Sequence, residues 1–316
     1  MNLLSSLRYL VALQEHKHFG RAAVACHITQ PALSNAIRAL EGELGVVIVK
    51  RDRNFVGLTP EGQRVLESAH LMLHEATVLQ QELKSRVRLP RGPLRIAAVP
   101  TAIPIAARFA ATLHARHSGI QPVVLSLSSS DLERGLHDLS IDMALGYSER
   151  MRVADSDSRL KAWPQYTEHY FLLRRAAQPH PSGLQIGAAM PWKDLAQLPL
   201  CLLTPEMHNR TIVDAAFTTA GVRVTPAMET NSIMTMMLSV VAGTVCSVLP
   251  GALVDTVRAY RELEALPLVG PQVYTRIAFI SHAQARSSQA LEAGLTLAQD
   301  AGWLREAAAH SGLLMA

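Results

Sequence analysis

Gln30, Ser34, Asn35 and Arg38 share one face of a predicted helix, and their amides, hydroxyl and guanidinium are the groups that read base edges or grip phosphates in a DNA major groove. The opposite face carries Leu33, Ile37, Leu40 and Leu44 at i, i+4, i+7 and i+11, an apolar stripe that frees the polar face for a partner. A solvated face would more often mix in Lys and Glu. Thr29 is suited to cap this helix, Pro31 to occupy its first turn, and Gly45 to end it. Beyond Gly45, Val46 to Val49 reads as a strand, Lys50-Arg51-Asp52-Arg53-Asn54 as a turn and Phe55 to Leu58 as the returning strand. Lys50, Arg51 and Arg53 on that turn can meet phosphate or enter a minor groove, although a basic turn taken alone is more often just solvated.

Two helices must hold the first in place. One contains Leu7, Leu10 and Val11, with Ser5 or Ser6 as its cap, and runs to about His16–His18. Phe19 opens a loop, and a short helix from Gly20 to His27 packs Ala22, Ala23 and Cys26. Thr59-Pro60-Glu61 then starts a long helix over 60–88, about 43 Å at 1.5 Å per residue. Its stripe positions Leu66, Ala69, Leu73, Ala76, Gln80, Leu83 and Val87 alternate three- and four-residue spacings, and Val65, Met72 and Leu79 widen the stripe. Such a stripe calls for a partner helix, so it reads as a dimerisation element, broken at Leu89-Pro90-Arg91-Gly92-Pro93.

Charge agrees with this division. Residues 1–92 hold 12 Lys and Arg against 8 Asp and Glu, whereas residues 93–316 hold 18 of each, so the net +4 of the chain sits at one end. A basic end on a neutral body suits a polyanion-binding module attached to something else. With 49% hydrophobic and 18% charged residues over 316, the chain is globular and long enough for two or three domains. No apolar run is long enough to span a membrane and the start lacks a signal-peptide pattern, so the expected location is the cytoplasm. The three cysteines, Cys26, Cys201 and Cys246, are far apart and read as small core residues.

The runs Arg21-Ala22-Ala23, Thr29-Gln30-Pro31-Ala32-Leu33-Ser34, Ile37-Arg38-Ala39-Leu40-Glu41, Leu44-Gly45 and Leu58-Thr59-Pro60-Glu61-Gly62 together resemble the N-terminal signature of LysR-type transcriptional regulators. The family usually has a basic residue where Asn35 stands and Pro-Leu-Phe where Val47-Ile48-Val49 stands. The resemblance implies an α/β fold with an N-terminal winged helix-turn-helix (1–60), a linker helix (61–90) and a two-lobed effector domain (91–316) like a periplasmic binding protein. It implies double-stranded promoter DNA and RNA polymerase as partners, a homodimer through the linker and a homotetramer. The DNA-contacting positions it suggests are Arg21, Thr29, Gln30, Pro31, Ser34, Asn35, Arg38, Lys50, Arg51 and Arg53.

Beyond the hinge, strands near 94–99, 123–127 and 141–146 alternate with helices over 103–116 and 130–139, which predicts a parallel sheet. A second round has strands near 166–173, 200–203 and 245–249 and helices near 209–220 and 232–242. A strand at 273–280 and one helix from 287 to 308 complete it. Ligands of open α/β sheets collect at the carboxyl ends of strands, and those ends are hydroxyl-rich here. The resemblance places an inducer in the cleft between lobes, bordered by Pro100, Thr101, Ala102, Ser128, Ser129, Tyr147, Thr204, Pro205, Asn231 and Ser232. Ser and Thr at such places are as often plain helix caps. Hydroxyls and helix N-termini without dense acid suggest a small carboxylate.

Enzyme signatures are missing: no G-x-G-x-x-G, Walker loop, G-x-S-x-G or H-E-x-x-H occurs, and no cofactor is called for. His70 and His74 have metal-pair spacing but no third ligand nearby in sequence, and Met207, Met228 and the Met234, Met236, Met237 cluster read as adaptable core or pocket lining. A secreted solute-binding protein with the same two-lobed sheet, or a metabolic α/β enzyme with a helical accessory domain, are the alternative classes. The first would have no use for residues 1–60, and the second needs a catalytic constellation.

Overall fold

The first helix starts before the serines that suggested its cap. A computed structural model of the chain describes residues 2–51, 55–84, 89–151, 159–283 and 286–312, the side chains of 51 and 81–84 excepted. Asn2 caps α1 (Leu3–His16) by accepting the Ser5 N–H at 3.1 Å, so Ser5 and Ser6 lie inside the first turn. The second correction is similar. His18, not a loop at Phe19, opens α2 (Phe19–Ala25), its Nδ1 accepting the N–H groups of Gly20 and Arg21 at 3.0 and 3.3 Å. Thr29 caps α3 (Gln30–Leu44) as expected, and Gly45 ends it with the positive φ of 67° that a side chain would resist.

Leu33, Ile37 and Leu40 are fully buried against α1 and α2, roughly 2 kcal/mol of transfer free energy apiece. Leu44, the last residue of the same stripe, is 45% exposed. The wing begins later than predicted. β1 (Val49–Arg51) pairs antiparallel with β2 (Phe55–Leu58), so Lys50 lies in a strand and not in the turn. Arg53 lies outside the described residues, as does the side chain of Arg51.

α4 (Pro60–Lys84) follows, about 37 Å of helix. Gly62 is required at its start: a Cβ there would stand 2.1 Å from the Ile48 carbonyl oxygen, so only glycine lets the helix approach the strand. The chain divides into two compact units, one built on this N-terminal region with two short later segments, the other on the remainder.

In the second unit, β3 (Gly92–Ala98) leads through a 3₁₀ turn at Pro100–Ala102 into α5 (Ile103–Arg116), β4 (Ile120–Ser126), α6 (Ser129–His137) and β5 (Met143–Tyr147), which form a first lobe. β6 (Leu160–Arg175) crosses to a second lobe. There lie the short strands β7 (Gln185–Ile186) and β8 (Met190–Pro191), then β9 (Leu200–Leu203), α7 (His208–Thr219), β10 (Met228–Thr230), α8 (Ile233–Val241), β11 (Cys246–Pro250), α9 (Gly251–Asp255) and β12 (Leu263–Val269). β13 (Tyr274–His282) returns to the first lobe, which α10 (Gln289–Ala298) and α11 (Ala301–Ala309) complete.

The sheet is mixed where the alternation suggested a parallel one. Its main path runs β10-β9-β11-β6-β13-β5-β3-β4. β3 pairs parallel with β4 and β5, while β13 runs antiparallel to both β5 and β6. The two long strands therefore join the lobes through one hydrogen-bonded ladder. Each lobe keeps its own core, the first around Ile96, Phe109, Leu145 and Phe279 and the second around Phe171, Leu173, Trp192 and Leu249. Asp142 ties β5 to β3 by accepting the Arg95 N–H at 2.6 Å while its own N–H donates to the Arg95 carbonyl, a structural role.

Candidate nucleic-acid face and ligand cleft

Burial of the α3 stripe turns Gln30, Pro31, Asn35 and Arg38 outward, all exposed, with Ser34 half-buried at their edge. Arg21 is exposed on α2, and Lys50 is exposed on β1. Thr29 spends its hydroxyl on the Ala32 N–H at 3.4 Å, so it positions the helix start. The wing is held to the same helix by a residue that sequence reading left without a role. Glu41 Oε1 accepts the N–H groups of Ile48 and Val49 at 2.9 and 3.0 Å, so the helix that carries Arg38 also fixes where β1 starts. Phe55 then packs edge-on against Phe19, with ring centroids 6.4 Å apart, and docks the return strand. One rigid element thus presents the amides, hydroxyl and guanidinium of the polar face beside a basic two-stranded ribbon.

In the second unit, three helical starts converge on one narrow cleft. Pro100 and Thr101 come from the 3₁₀ turn after β3, Ser128 and Ser129 from the start of α6, and Met207, His208 and Asn209 from the start of α7. Val99, Tyr147 and Leu203 complete the wall. The start of α6 is already served: the Ser128 hydroxyl donates to Asp131 at 2.6 Å and accepts the Asp131 N–H. Neither the 3₁₀ turn nor α7 has a side-chain cap; Pro100 carries no N–H and the Ala102 N–H donates to the Val99 carbonyl at 2.9 Å, so the uncapped helix N-terminus at the cleft is that of α7.

The polar side chains are neutral. Tyr147 is 3% exposed, its hydroxyl 3.0 Å from Thr101 Oγ1, and burial raises its pKa further above the usual phenol range. Its ring meets that of His208 edge-on at 4.8 Å. Burial, and then the charge of Arg150, lower the His208 pKa and favour the neutral imidazole. Asn209 donates from Nδ2 to the Tyr170 hydroxyl at 3.2 Å. Among the described residues, no Asp, Glu, Lys or Arg is in this lining.

Of the residues suggested for an effector, the structure brings Pro100, Thr101, Ser128, Ser129 and Tyr147 together. It places the others elsewhere. Ala102 is fully buried behind the turn. Thr204 donates to Glu206 at 2.6 Å, next to an exposed Pro205. Ser232 caps α8 through the Thr235 N–H at 3.2 Å, with Asn231 exposed beside it. Met207, read as core or pocket lining, is in the wall of the cleft, whereas His208 and Asn209 were missed. A bare helix start following the hydroxyl of Thr204 carried the signal, one turn further along than the hydroxyl itself.

The thiols are dispersed. Cys201 is buried, whereas Cys26 and Cys246 are half-buried and so are not the full core residues expected. Cys201 and Cys246 lie on paired strands but belong to opposite faces, one packed in the core with Leu173 and Leu249, the other against the core with Trp192 and Val248. Burial raises the pKa of all three.

Comparison with known proteins decides the family. Residues 4–63 match the profile of the bacterial regulatory helix-turn-helix protein, lysR family, and residues 88–303 match the LysR substrate binding domain. This chain belongs to the LysR-type transcriptional regulators. A hydrogen peroxide-inducible genes activator from Pectobacterium carotovorum subsp. carotovorum is 30% identical over 278 residues, 88% of this chain and 89% of that one. The solved full-length OxyR from Pseudomonas aeruginosa, a cysteine-to-aspartate variant, superposes with a TM-score of 0.69 at 26% identity, covering 93% of this chain and 96% of that one. Full-length CbnR in complex with its target DNA shares the fold, with a TM-score of 0.65 at 20% identity over 96% and 99% of the two chains. The LysR-type regulator is thus a DNA-binding protein with a winged helix-turn-helix and a two-lobed α/β effector domain. Among the described residues, no helix is long and apolar enough to cross a membrane.

Proposed function

We propose that this regulator binds a small carboxylate in the Thr101–Tyr147–Asn209 cleft and so controls its occupancy of promoter DNA. The carrying observation is the convergence of three helical starts, two of them without side-chain caps, on a cleft with hydroxyl and amide donors and, among the described residues, no acidic side chain in its wall. Such a site favours an anion through backbone N–H groups and helix dipoles. In this reading residues 1–60 carry DNA recognition, 61–90 pair subunits and 91–316 sense the ligand in a homotetramer. Gln30, Pro31, Ser34, Asn35 and Arg38 face the major groove, with Arg21, Lys50, Arg51 and Arg53 on the backbone or minor groove. The ligand acts by preferring one arrangement of the two lobes, a population shift, and needs differential affinity to do so.

The relatives named for hydrogen peroxide raise a second reading, thiol oxidation. Redox-sensing thiols are exposed, of lowered pKa and close to a resolving partner. Here burial raises all three thiols, and Cys201 and Cys246 face opposite cores, which favours the carboxylate reading. The two separate in one screen. Thermal shift of the full chain is measured with matched anions and neutral isosteres, acetate beside acetamide and benzoate beside benzamide, and after peroxide treatment. The carboxylate reading expects only the anions to raise Tm. A shift produced only by peroxide, by cations or by neutral sugars contradicts it.

A further inference from the structure

Ile48, at the root of the wing, is gripped by two different helices. Its N–H and that of Val49 donate to Glu41 Oε1 in the last turn of α3, at 2.9 and 3.0 Å. Its carbonyl accepts the Thr59 N–H at 2.9 Å. The Thr59 hydroxyl in turn donates to the Val47 carbonyl and accepts the Gly62 N–H at the start of α4. The side chains of Ile48 and Val49 are buried in the core of the same unit, so the chain enters the wing along one fixed line. Lys50, the next residue, is exposed. A carboxylate in the last turn of a helix opposes the helix dipole, and no basic residue stands in that turn of α3. Glu41 is therefore unfavourable for α3 taken alone, and what it gains is the wing.

We propose that Glu41 is the positioning residue of the wing in DNA binding: its carboxylate sets where Lys50 and the rest of the basic ribbon stand relative to the polar face of α3. The proposal rests on the reading that this face enters a major groove while the ribbon meets phosphate or a minor groove. Those two kinds of contact do different work. Base edges carry the sequence, and phosphate contacts carry affinity that falls with salt. One rigid unit must make both at once, so the offset between helix and ribbon has to match the offset between groove and backbone. Two hydrogen bonds to a single carboxylate oxygen define that offset. Without them β1 keeps its tie to α4 but loses its tie to α3, and the ribbon swings away from the backbone while α3 keeps its register. Glu41 acts through Ile48, Val49 and the ribbon beyond them. A carboxylate accepts both N–H groups more strongly than a carboxamide does, so glutamine preserves the geometry and weakens the hold.

The test is anisotropy of the full chain, as wild type, E41A and E41Q, with duplex DNA from upstream of its own gene and with a scrambled duplex, over about 50 to 200 mM salt. E41A is expected to bind both duplexes about tenfold more weakly at the lowest salt. Its slope of log affinity against log salt should be shallower by about one to two, with the native-to-scrambled ratio unchanged. E41Q is expected to recover most of the slope, to within about 0.5 of wild type. The sign is informative: removing a negative charge near DNA would by itself strengthen binding, so a weakening reports lost geometry. A merely structural role lowers the active fraction through partial unfolding and leaves the slope alone. A wild-type slope in E41A, or a fall in the native-to-scrambled ratio with the slope kept, overturns the proposal. Wild type that binds both duplexes equally overturns sequence reading by α3 and not the role of Glu41, because the slope is read on either duplex. If E41A does not fold, E41D carries the comparison. It keeps the charge but is one methylene short of the two N–H groups, so it should lower the slope as E41A does, and a wild-type slope in E41D overturns the proposal.

Discussion

Arg38 and Glu41 sit three positions apart on one helix, one exposed on its polar face and the other turned back to hold the wing. Arg38→Ala should cost about 1–3 kcal/mol of specific binding, roughly tenfold or more, with no change in the thermal stability of the effector unit or its response to ligand. A loss confined to stability, with the specificity ratio intact, would remove Arg38 from the contact set. Glu168, fully buried on β6, makes a second residue-level prediction. Its pKa is raised on folding from the usual carboxyl value to about 8, so the native state holds the proton longer than the unfolded chain. The stability this provides is fully present below the unfolded pKa and is lost as pH rises toward about 8, on the order of a few kcal/mol. The Tm difference between E168Q and wild type should grow in favour of E168Q from pH 5 to pH 8 and level off above, by calorimetry. A pH-independent difference would mean Glu168 is ionised in the core. The polar face of α3 was readable in the sequence because spacing alone sorts its residues. Glu168 was not, since a single glutamate in a strand of tyrosines and leucines carries no sign of its burial.

At the scale of elements, α4 divides its apolar stripe between two tasks. Leu66 and Ala69 are buried in the core of the DNA-binding unit, while Leu71, Met72 and Leu79 are 42–47% exposed. The periodicity of the sequence marked the whole stripe for a partner helix and did not show that its first turns are used within the subunit, because spacing reports which side is apolar and not what covers it. Met72→Glu combined with Leu79→Glu should reduce the oligomer to a smaller species by light scattering and leave folding intact, since neither side chain is buried in its own subunit. An unchanged mass would place subunit pairing elsewhere. Other elements were hidden for local reasons. β12 contains Pro267 and Glu264, which mask its strand character, yet it pairs with the C-terminal half of β6. The single helix expected over 287–308 is two, because the Asp300 side chain accepts the Trp303 N–H at 2.9 Å and restarts the chain as α11. His18 was overlooked as a cap because an imidazole rarely fills that position.

For the whole molecule, the family assignment follows from a signature readable in the first sixty residues and from two matched domains. The convergence that forms the cleft is recorded by no motif, because the helix starts that line it are spread over more than a hundred residues of sequence. What joins them is the ladder of β6 and β13, which makes one sheet of two lobes. The account stands first on sequence-specific recognition of DNA by the N-terminal unit, and the direct measurement is fluorescence anisotropy of the full chain against duplex DNA from upstream of its own gene, beside a scrambled duplex, across a salt series. The account predicts tight binding to the native duplex and weaker, more steeply salt-dependent binding to the scrambled one. Equal, weak binding to both duplexes with the same salt slope would contradict recognition of that promoter and leave only a basic surface.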